Sequence, residues 1–120
     1  IKKKEEKINS LLEKLSLKEY EKIPVYKLSG GTKKRVDIAC ALLNDPEIII
    51  LDEPFSGLDT FLVNQLSNFL KELNKQGKTI ILSSHLLEPV KNLCTDLIFV
   101  KNAKVSQISK EQLKNLYQND

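Results

Sequence analysis

The run Ile48-Ile49-Ile50-Leu51-Asp52-Glu53-Pro54 is the clearest indicator of fold class in this 120-residue chain. Four apolar residues without polar alternation are typical of a strand that is buried on both faces of a parallel sheet. A helical pattern from about Asp59 to Gln76 follows, and then a second strand from Thr79 to Ser83. Strand, helix and strand in this order predict a right-handed parallel crossover, so we expect an α/β protein.

Helical patterns precede this strand, and mixed patterns follow the crossover. Apolar residues recur at helical spacing from Ile8 to Leu15 and from Val36 to Leu43, which predicts helices from near Lys2 and from about Thr32. We therefore expect a helical segment over residues 1–45 and a sheet-containing segment over residues 46–120. The later elements are predicted as a helix over 86–93, a strand over 96–100 that continues the sheet, a short strand over 105–108, and a last helix, capped by Ser109 with Gln112, that ends near Tyr117.

Composition excludes several classes of protein. The net charge of +3 is too small to indicate a nucleic-acid partner, and the longest apolar run is far shorter than the roughly 20 residues that span a bilayer. Cys40 and Cys94 form no CxxC pair, so we expect two free, buried thiols in a cytosolic protein. The chain begins at Ile1 inside a polar helical pattern, and we expect it to be a piece of a longer protein.

Polar side chains follow both strands of the predicted crossover, where open parallel sheets bind their ligands. Asp52 and Glu53 come directly after the first strand, and His85 follows Ser83 by two residues. Adjacent carboxylates suit a divalent metal and a general base, since one can hold Mg²⁺ while its neighbour orients water. An exposed acidic turn is the alternative interpretation of an isolated pair.

A second candidate site precedes the helix that begins near Thr32. In Leu28-Ser29-Gly30-Gly31, the serine can cap the helix, and the glycines let an anion approach the N–H groups at its positive end. A flexible cap is the alternative. Gly77-Lys78-Thr79 is not a phosphate loop, because it leaves a helix for a strand and because Glu72 stands where GxxxxGK needs glycine. No other Gly-Lys pair exists, so the chain contains no phosphate loop.

In their order and spacing, these motifs resemble the C-terminal part of an ATP-binding cassette (ABC) ATPase domain. The resemblance implies a P-loop NTPase-like fold with a partial parallel sheet. Residues 1–45 would belong to its helical subdomain, ending in the signature helix, and residues 46–120 would be the C-terminal part of its RecA-like core. The Walker A loop and the Q-loop are absent, so about the N-terminal half of such a domain is not in this sequence.

The resemblance also implies roles for single residues. Asp52, at the end of the Walker B strand, would hold Mg²⁺ through water, and Glu53 would polarise the attacking water. His85 matches the switch histidine, which contacts the γ-phosphate. The run Leu28 to Gly31 matches the signature motif, which closes over ATP held by the partner subunit. The run Ser56-Gly57-Leu58-Asp59 matches the D-loop, which crosses the dimer interface.

Two positions depart from the family pattern. Thr32 stands where glutamine is most common, which removes one nucleotide contact but leaves the amides at the helix end intact. Ala103 stands where a turn glycine is common, so we expect Asn102 to carry any left-handed conformation.

The implied function is that of an ATP-binding transporter subunit that hydrolyses ATP, with Mg²⁺, in a head-to-tail dimer. Its partners would be a second ATP-binding subunit, identical or different, and transmembrane subunits, but no nucleic acid. It would lie on the cytoplasmic face of the cell membrane. Overall likeness to bacterial exporters favours export over import, and no residue identifies the transported substrate.

The isolated 120-residue chain should neither bind ATP tightly nor hydrolyse it, because the Walker A loop does most of the phosphate positioning. Two alternatives to a transporter subunit stay open. One is a soluble ABC ATPase of the translation or chromosome-repair type. The other is a truncated, non-enzymatic interaction module.

Overall fold

The computed structural model describes residues 2–118 of the chain. Two 3₁₀ turns, Lys18–Tyr20 and Val25–Lys27, join the first two helices. The helices and strands are, in chain order, α1 (Lys2–Lys14), α2 (Gly30–Leu42), β1 (Ile48–Asp52), α3 (Thr60–Lys75), β2 (Thr79–Ser83), α4 (Leu87–Leu93), β3 (Leu97–Lys101), β4 (Lys104–Ile108) and α5 (Lys110–Gln118). The α/β class and the order of these elements agree with the sequence prediction, and most element ends differ by one or two residues.

The strands β1 and β2 pair in parallel, with Ile48 opposite Thr79 and Asp52 opposite Ser83. Helix α3 connects them and packs against β2, while α2 packs against β1. The predicted strand, helix and strand crossover is therefore confirmed. Because the two strands are in step, Asp52 and Ser83 lie side by side at the carboxyl end of the sheet, on the same face.

The core around this sheet lies on the face that the helices cover. Asp59 caps α3, since its Oδ1 accepts a hydrogen bond of 2.8 Å from the Leu62 N–H. The buried apolar side chains of this core are Leu11, Leu15, Leu17, Ile38, Leu42, Ile49, Leu51, Phe55, Leu66, Phe69, Leu70 and Leu73. The cap predicted at Asp59 is thus present, and Gly77, with φ +100°, follows the helix as predicted.

The prediction that β1 is buried on both faces is wrong for the part of the chain that the structure describes. Ile48 is 60% exposed and Ile50 is 75% exposed, whereas Ile49 and Leu51 are buried. Ile81, which pairs with Ile50 on β2, is 56% exposed. The helices cover only one side of the sheet, so the outer face of β1 and β2 stays in contact with solvent.

The strands β3 and β4 form a separate antiparallel hairpin, so β3 does not extend the parallel sheet as predicted. Its two turn residues are Asn102, with φ 52°, and Ala103, with φ 61°. A two-residue hairpin turn of type I′ requires positive φ at both central positions. The expectation that Asn102 alone would be left-handed is therefore wrong, since Ala103 shares that conformation.

Helix α5 begins with the predicted capping box. The Gln112 N–H donates to Ser109 Oγ at 3.1 Å, and the Ser109 N–H donates to Gln112 Oε1 at 2.9 Å. These two bonds satisfy donors that a helix start would otherwise leave unpaired.

The chain contains two compact units, one that ends at Ser84 and one that begins at His85. The division near residue 45 concerns the organisation of a complete domain, and it stays a prediction. Within the described residues, no helix is long and apolar enough to cross a membrane.

The prediction of two buried thiols is wrong. Cys40 is exposed on α2, and Cys94 is only partly buried. Helical periodicity placed Cys40 on the apolar face of its helix, but no neighbouring element covers it there. Burial raises the pKa of the Cys94 thiol, and the nearby charge of Lys110 opposes that rise.

Candidate functional site

Asp52 presents an exposed carboxylate at the carboxyl end of β1. The Ser83 hydroxyl, one strand away, donates a hydrogen bond to Asp52 Oδ1. Within the described residues, no three His, Cys, Asp or Glu side chains are grouped as metal ligands. A single carboxylate still fits Mg²⁺, which takes one or two protein carboxylates and fills its other positions with water and phosphate oxygens.

Glu53 lies in the left-handed region, with φ 48°, and its backbone is held from both sides. Its N–H donates to two acceptors of Ser83, the carbonyl oxygen at 3.0 Å and Oγ at 3.2 Å. Its carbonyl accepts hydrogen bonds from Lys34 Nζ at 2.7 Å and from the Ser56 N–H at 3.3 Å. Because this conformation costs a residue with a Cβ about 1–2 kcal/mol, these contacts fix the path of the chain at the carboxylate pair.

Ser29 caps α2 as predicted. Its Oγ accepts a hydrogen bond of 3.2 Å from the Thr32 N–H, and its hydroxyl also lies 2.8 Å from Thr32 Oγ1. A Cβ added at Gly30 would meet no heavy atom within 4 Å. The start of α2 is therefore open at Gly30, as a helix terminus that binds an anion must be.

Gly31 has a different role from Gly30. A Cβ at Gly31 would lie 2.9 Å from the Gly57 carbonyl oxygen and 3.2 Å from Leu58 Cδ2. The absence of a side chain at Gly31 lets the start of α2 touch the segment 56–59 of the same chain. Of these two glycines, both predicted to let an anion approach, only Gly30 faces open space.

Thr32 is buried, with 4% of its surface exposed. Its Oγ1 accepts a hydrogen bond of 3.2 Å from a guanidinium nitrogen of Arg35, which is itself 5% exposed. Another guanidinium nitrogen of Arg35 donates to the Leu15 carbonyl at 2.8 Å. The side chain of Thr32 thus contributes to the interior of the protein and supports Arg35 there.

His85 is the first residue of the second compact unit, and its side chain is exposed. Asp52, Glu53, the run 28–31 and the run 56–59 all belong to the first unit. The first unit thus brings together the carboxylate pair, the capped helix start and the segment 56–59. The role of His85 stays a prediction.

Two residues of this site were missed by the sequence analysis. Ser83 could have been found, because aligning the two apolar strands in register places it opposite Asp52. Lys34 could not, because it lies between Lys33 and Arg35 and no pattern in the sequence separates these three cations.

Comparisons with known proteins find similar sequences among transporter ATP-binding proteins. The family model described as ABC transporter matches residues 2–56. A relative from Methanocaldococcus jannaschii, an uncharacterized ABC transporter ATP-binding protein, is 40% identical over 111 residues, which are 90% of this chain and 42% of the relative. The Nod factor export ATP-binding protein I of Sinorhizobium fredii is 40% identical over 83% of this chain and 29% of its own. The methionine import ATP-binding protein MetN of Ligilactobacillus salivarius is 41% identical over 94% and 32%.

Solved structures show the same likeness. An ATP-binding subunit of an ABC transporter superposes with a TM-score of 0.80 at 28% identity, over 96% of this chain and 48% of that chain. An ATP-binding cassette of an ABC transporter reaches a TM-score of 0.75 at 31% identity, over 95% and 46%. The chain is thus similar to the ATP-binding domains of ABC transporters. It spans less than half the length of these relatives.

Proposed function

We propose that this chain is the C-terminal part of an ATP-binding subunit that hydrolyses ATP to drive transport across a membrane. One observation carries the proposal: the carboxylates of Asp52 and Glu53 lie at the carboxyl end of a parallel strand that packs against the capped helix α2. In open parallel sheets this is the edge at which ligands bind. The family supplies the ligand class, which is a nucleotide.

The two carboxylates take different tasks in the proposed reaction. Asp52 would hold Mg²⁺ through water, and the metal would supply positive charge to offset that of the phosphates. Glu53 accepts a hydrogen bond from the attacking water and orients it towards the γ-phosphate, as a general base does. His85 contacts the γ-phosphate and provides a hydrogen-bond donor to this group as it is transferred.

Leu28, Ser29, Gly30 and Gly31 bind a nucleotide held by a partner subunit. The open space at Gly30 and the capped helix start support an anion at this point. These 120 residues contain no phosphate loop, so the main cradle for a nucleotide must come from other residues. In a head-to-tail dimer, the start of α2 meets an anion, and the main cradle for the nucleotide comes from other residues. The segment Ser56 to Asp59 crosses the interface of that dimer.

The complete protein would consist of more than this chain. Residues 1–45 belong, in this proposal, to the helical subdomain and residues 46–120 to the RecA-like core. Its partners are a second ATP-binding subunit, identical or different, and transmembrane subunits. The protein itself lies on the cytoplasmic face of the cell membrane. The relatives include both an export and an import protein, so their names favour neither direction.

The experiment that tests this proposal compares ATP hydrolysis by the complete protein with that by the 120-residue chain. We expect turnover by the complete protein that requires Mg²⁺ and stops when the metal is chelated. We expect none from the isolated chain. A complete protein that neither binds nor hydrolyses ATP would overturn the proposal. Mg²⁺-dependent turnover by the isolated chain, abolished by Glu53→Gln, would overturn its expected inactivity.

A further inference from the structure

We propose that Lys34 is a positioning residue for ATP hydrolysis, because its ammonium group holds the backbone of Glu53 in the conformation that directs the carboxylate. The inference rests on the proposed function, in which Glu53 orients the attacking water. It adds a residue of the signature helix to the hydrolytic site of its own chain.

The conformation of Glu53 is the first support. A φ of 48° is unfavourable for a residue with a Cβ, and such strain persists only where neighbouring groups hold it. On one side, the Glu53 N–H donates a hydrogen bond of 3.0 Å to the carbonyl oxygen of Ser83 on β2. On the other side, the Glu53 carbonyl has a hydrogen bond of 3.3 Å from the Ser56 N–H and one of 2.7 Å from Lys34 Nζ. The bond from Lys34 is the shorter of the two and is assisted by charge.

The neighbours of Lys34 on α2 show that this contact is specific. The side chain of Lys33 is exposed and makes no hydrogen bond or ion pair within residues 2–118, and only its backbone N–H donates, to the Ser29 carbonyl at 2.9 Å. Arg35 is buried and donates to the carbonyls of Leu15 and Ser16, away from β1. Of three consecutive cations, only Lys34 reaches the end of β1. Lys33 is therefore a matched control for any substitution of Lys34.

Two contacts connect α2 to the segment 53–57. Gly31 touches the Gly57 carbonyl at the start of the helix, and Lys34 bonds to Glu53 one turn later. A displacement of α2 would therefore move the ammonium group away from the Glu53 carbonyl. In the proposed dimer the start of α2 contacts the partner's nucleotide, so Lys34 connects that contact to Glu53 of its own chain.

The test compares Lys34→Met, Lys34→Arg and Lys33→Met in the complete protein. Loss of one charge-assisted hydrogen bond is expected to lower kcat about tenfold to hundredfold in Lys34→Met. The KM for ATP should stay unchanged, since Lys34 contacts the backbone of Glu53 and not the nucleotide. Lys34→Arg keeps a donor in reach and should recover most of the lost kcat. Lys33→Met should match the unsubstituted protein.

A second readout does not depend on activity. Amide hydrogen exchange of Glu53 and Ser56 should become about tenfold faster in Lys34→Met, because an opening that the ammonium group opposes becomes easier. Exchange in Lys33→Met should not change. The inference is overturned if Lys34→Met matches Lys33→Met in kcat and in exchange, or if its KM rises while kcat is kept.

Failure of the proposed function would look different. In that case the complete protein would hydrolyse no ATP, or Glu53→Gln would leave turnover intact, whatever Lys34→Met does. The exchange measurement would still show whether Lys34 holds the backbone of Glu53.

Discussion

Two adjacent glycines at the start of α2 differ in what surrounds them. A methyl group at Gly31 would lie 2.9 Å from the Gly57 carbonyl oxygen, whereas one at Gly30 meets nothing within 4 Å. We expect Gly31→Ala to lower the free energy of unfolding by about 1–3 kcal/mol, because backbone must move to admit it. Gly30→Ala should leave it unchanged or raise it by up to about 1 kcal/mol. Urea unfolding followed by circular dichroism measures both, and equal effects of the two substitutions would contradict this account.

Asp45 makes the stability of the chain depend on pH. A hydrogen bond from Lys78, and then the charges of Lys7 and Lys78, lower the pKa of its carboxyl group. A carboxyl whose pKa is lowered by folding stabilises the protein above its unfolded pKa of about 3.9, and this stabilisation is lost as the pH falls through the folded pKa.

The matched variant is Asp45→Asn, since asparagine tolerates the φ of 50° at this position. We expect the unsubstituted chain to melt at a higher temperature than Asp45→Asn at neutral pH. The difference should shrink below about pH 4. Thermal melts from neutral to strongly acidic pH test this, and a difference that grows on acidification would contradict it.

Among the structural elements, the β3 and β4 hairpin contains a residue type that its turn does not favour. Ala103 has a φ of 61°, which costs a residue with a Cβ about 1–2 kcal/mol. Ala103→Gly should therefore slow amide exchange in the hairpin and raise its stability by about 0.5–1 kcal/mol. Ala41→Gly, within α2, should instead lower the stability of the chain, because glycine disfavours a helix. A destabilised hairpin in Ala103→Gly would show that the turn is not strained.

The helix starts were predictable from sequence, and the sheet's environment was not. Ser29, Asp59 and Ser109 cap their helices as predicted, because a cap depends on residues within one turn. Burial of β1 depends on what lies across the sheet. A continuous apolar run indicates that both faces of the strand need packing partners. It does not show whether the other residues of this chain provide them.

The candidate site was predictable for the same local reason. Asp52 and Glu53 follow a strand, and Ser29 precedes a helix, so their positions follow from adjacent residues in the sequence. The contact of Lys34 with Glu53 joins distant residues and depends on how α2 crosses β1. Packing of that kind has no signal in a single sequence.

For the whole molecule, the exposed outer face of the parallel sheet is the main consequence of the fold. Ile48, Ile50 and Ile81 are all more than half exposed on that face. A contiguous apolar surface beside open strand edges favours association between chains. We expect the isolated chain to associate as its concentration rises, as measured by sedimentation, and Ile50→Lys to reduce this without unfolding the chain. Ile49→Lys, on the covered face, should unfold it. A chain that stays monomeric at every concentration would contradict the expectation.

The proposed role of Glu53 is to orient water for ATP hydrolysis, and this role is tested by measuring turnover in the complete protein with Glu53→Gln. The control is Glu47→Gln, which makes the same chemical change at an exposed residue just before β1. We predict that Glu53→Gln lowers kcat by about a hundredfold or more, as loss of a general base does, while ATP still binds. Glu47→Gln should not change kcat. Equal turnover in the two variants would contradict the account.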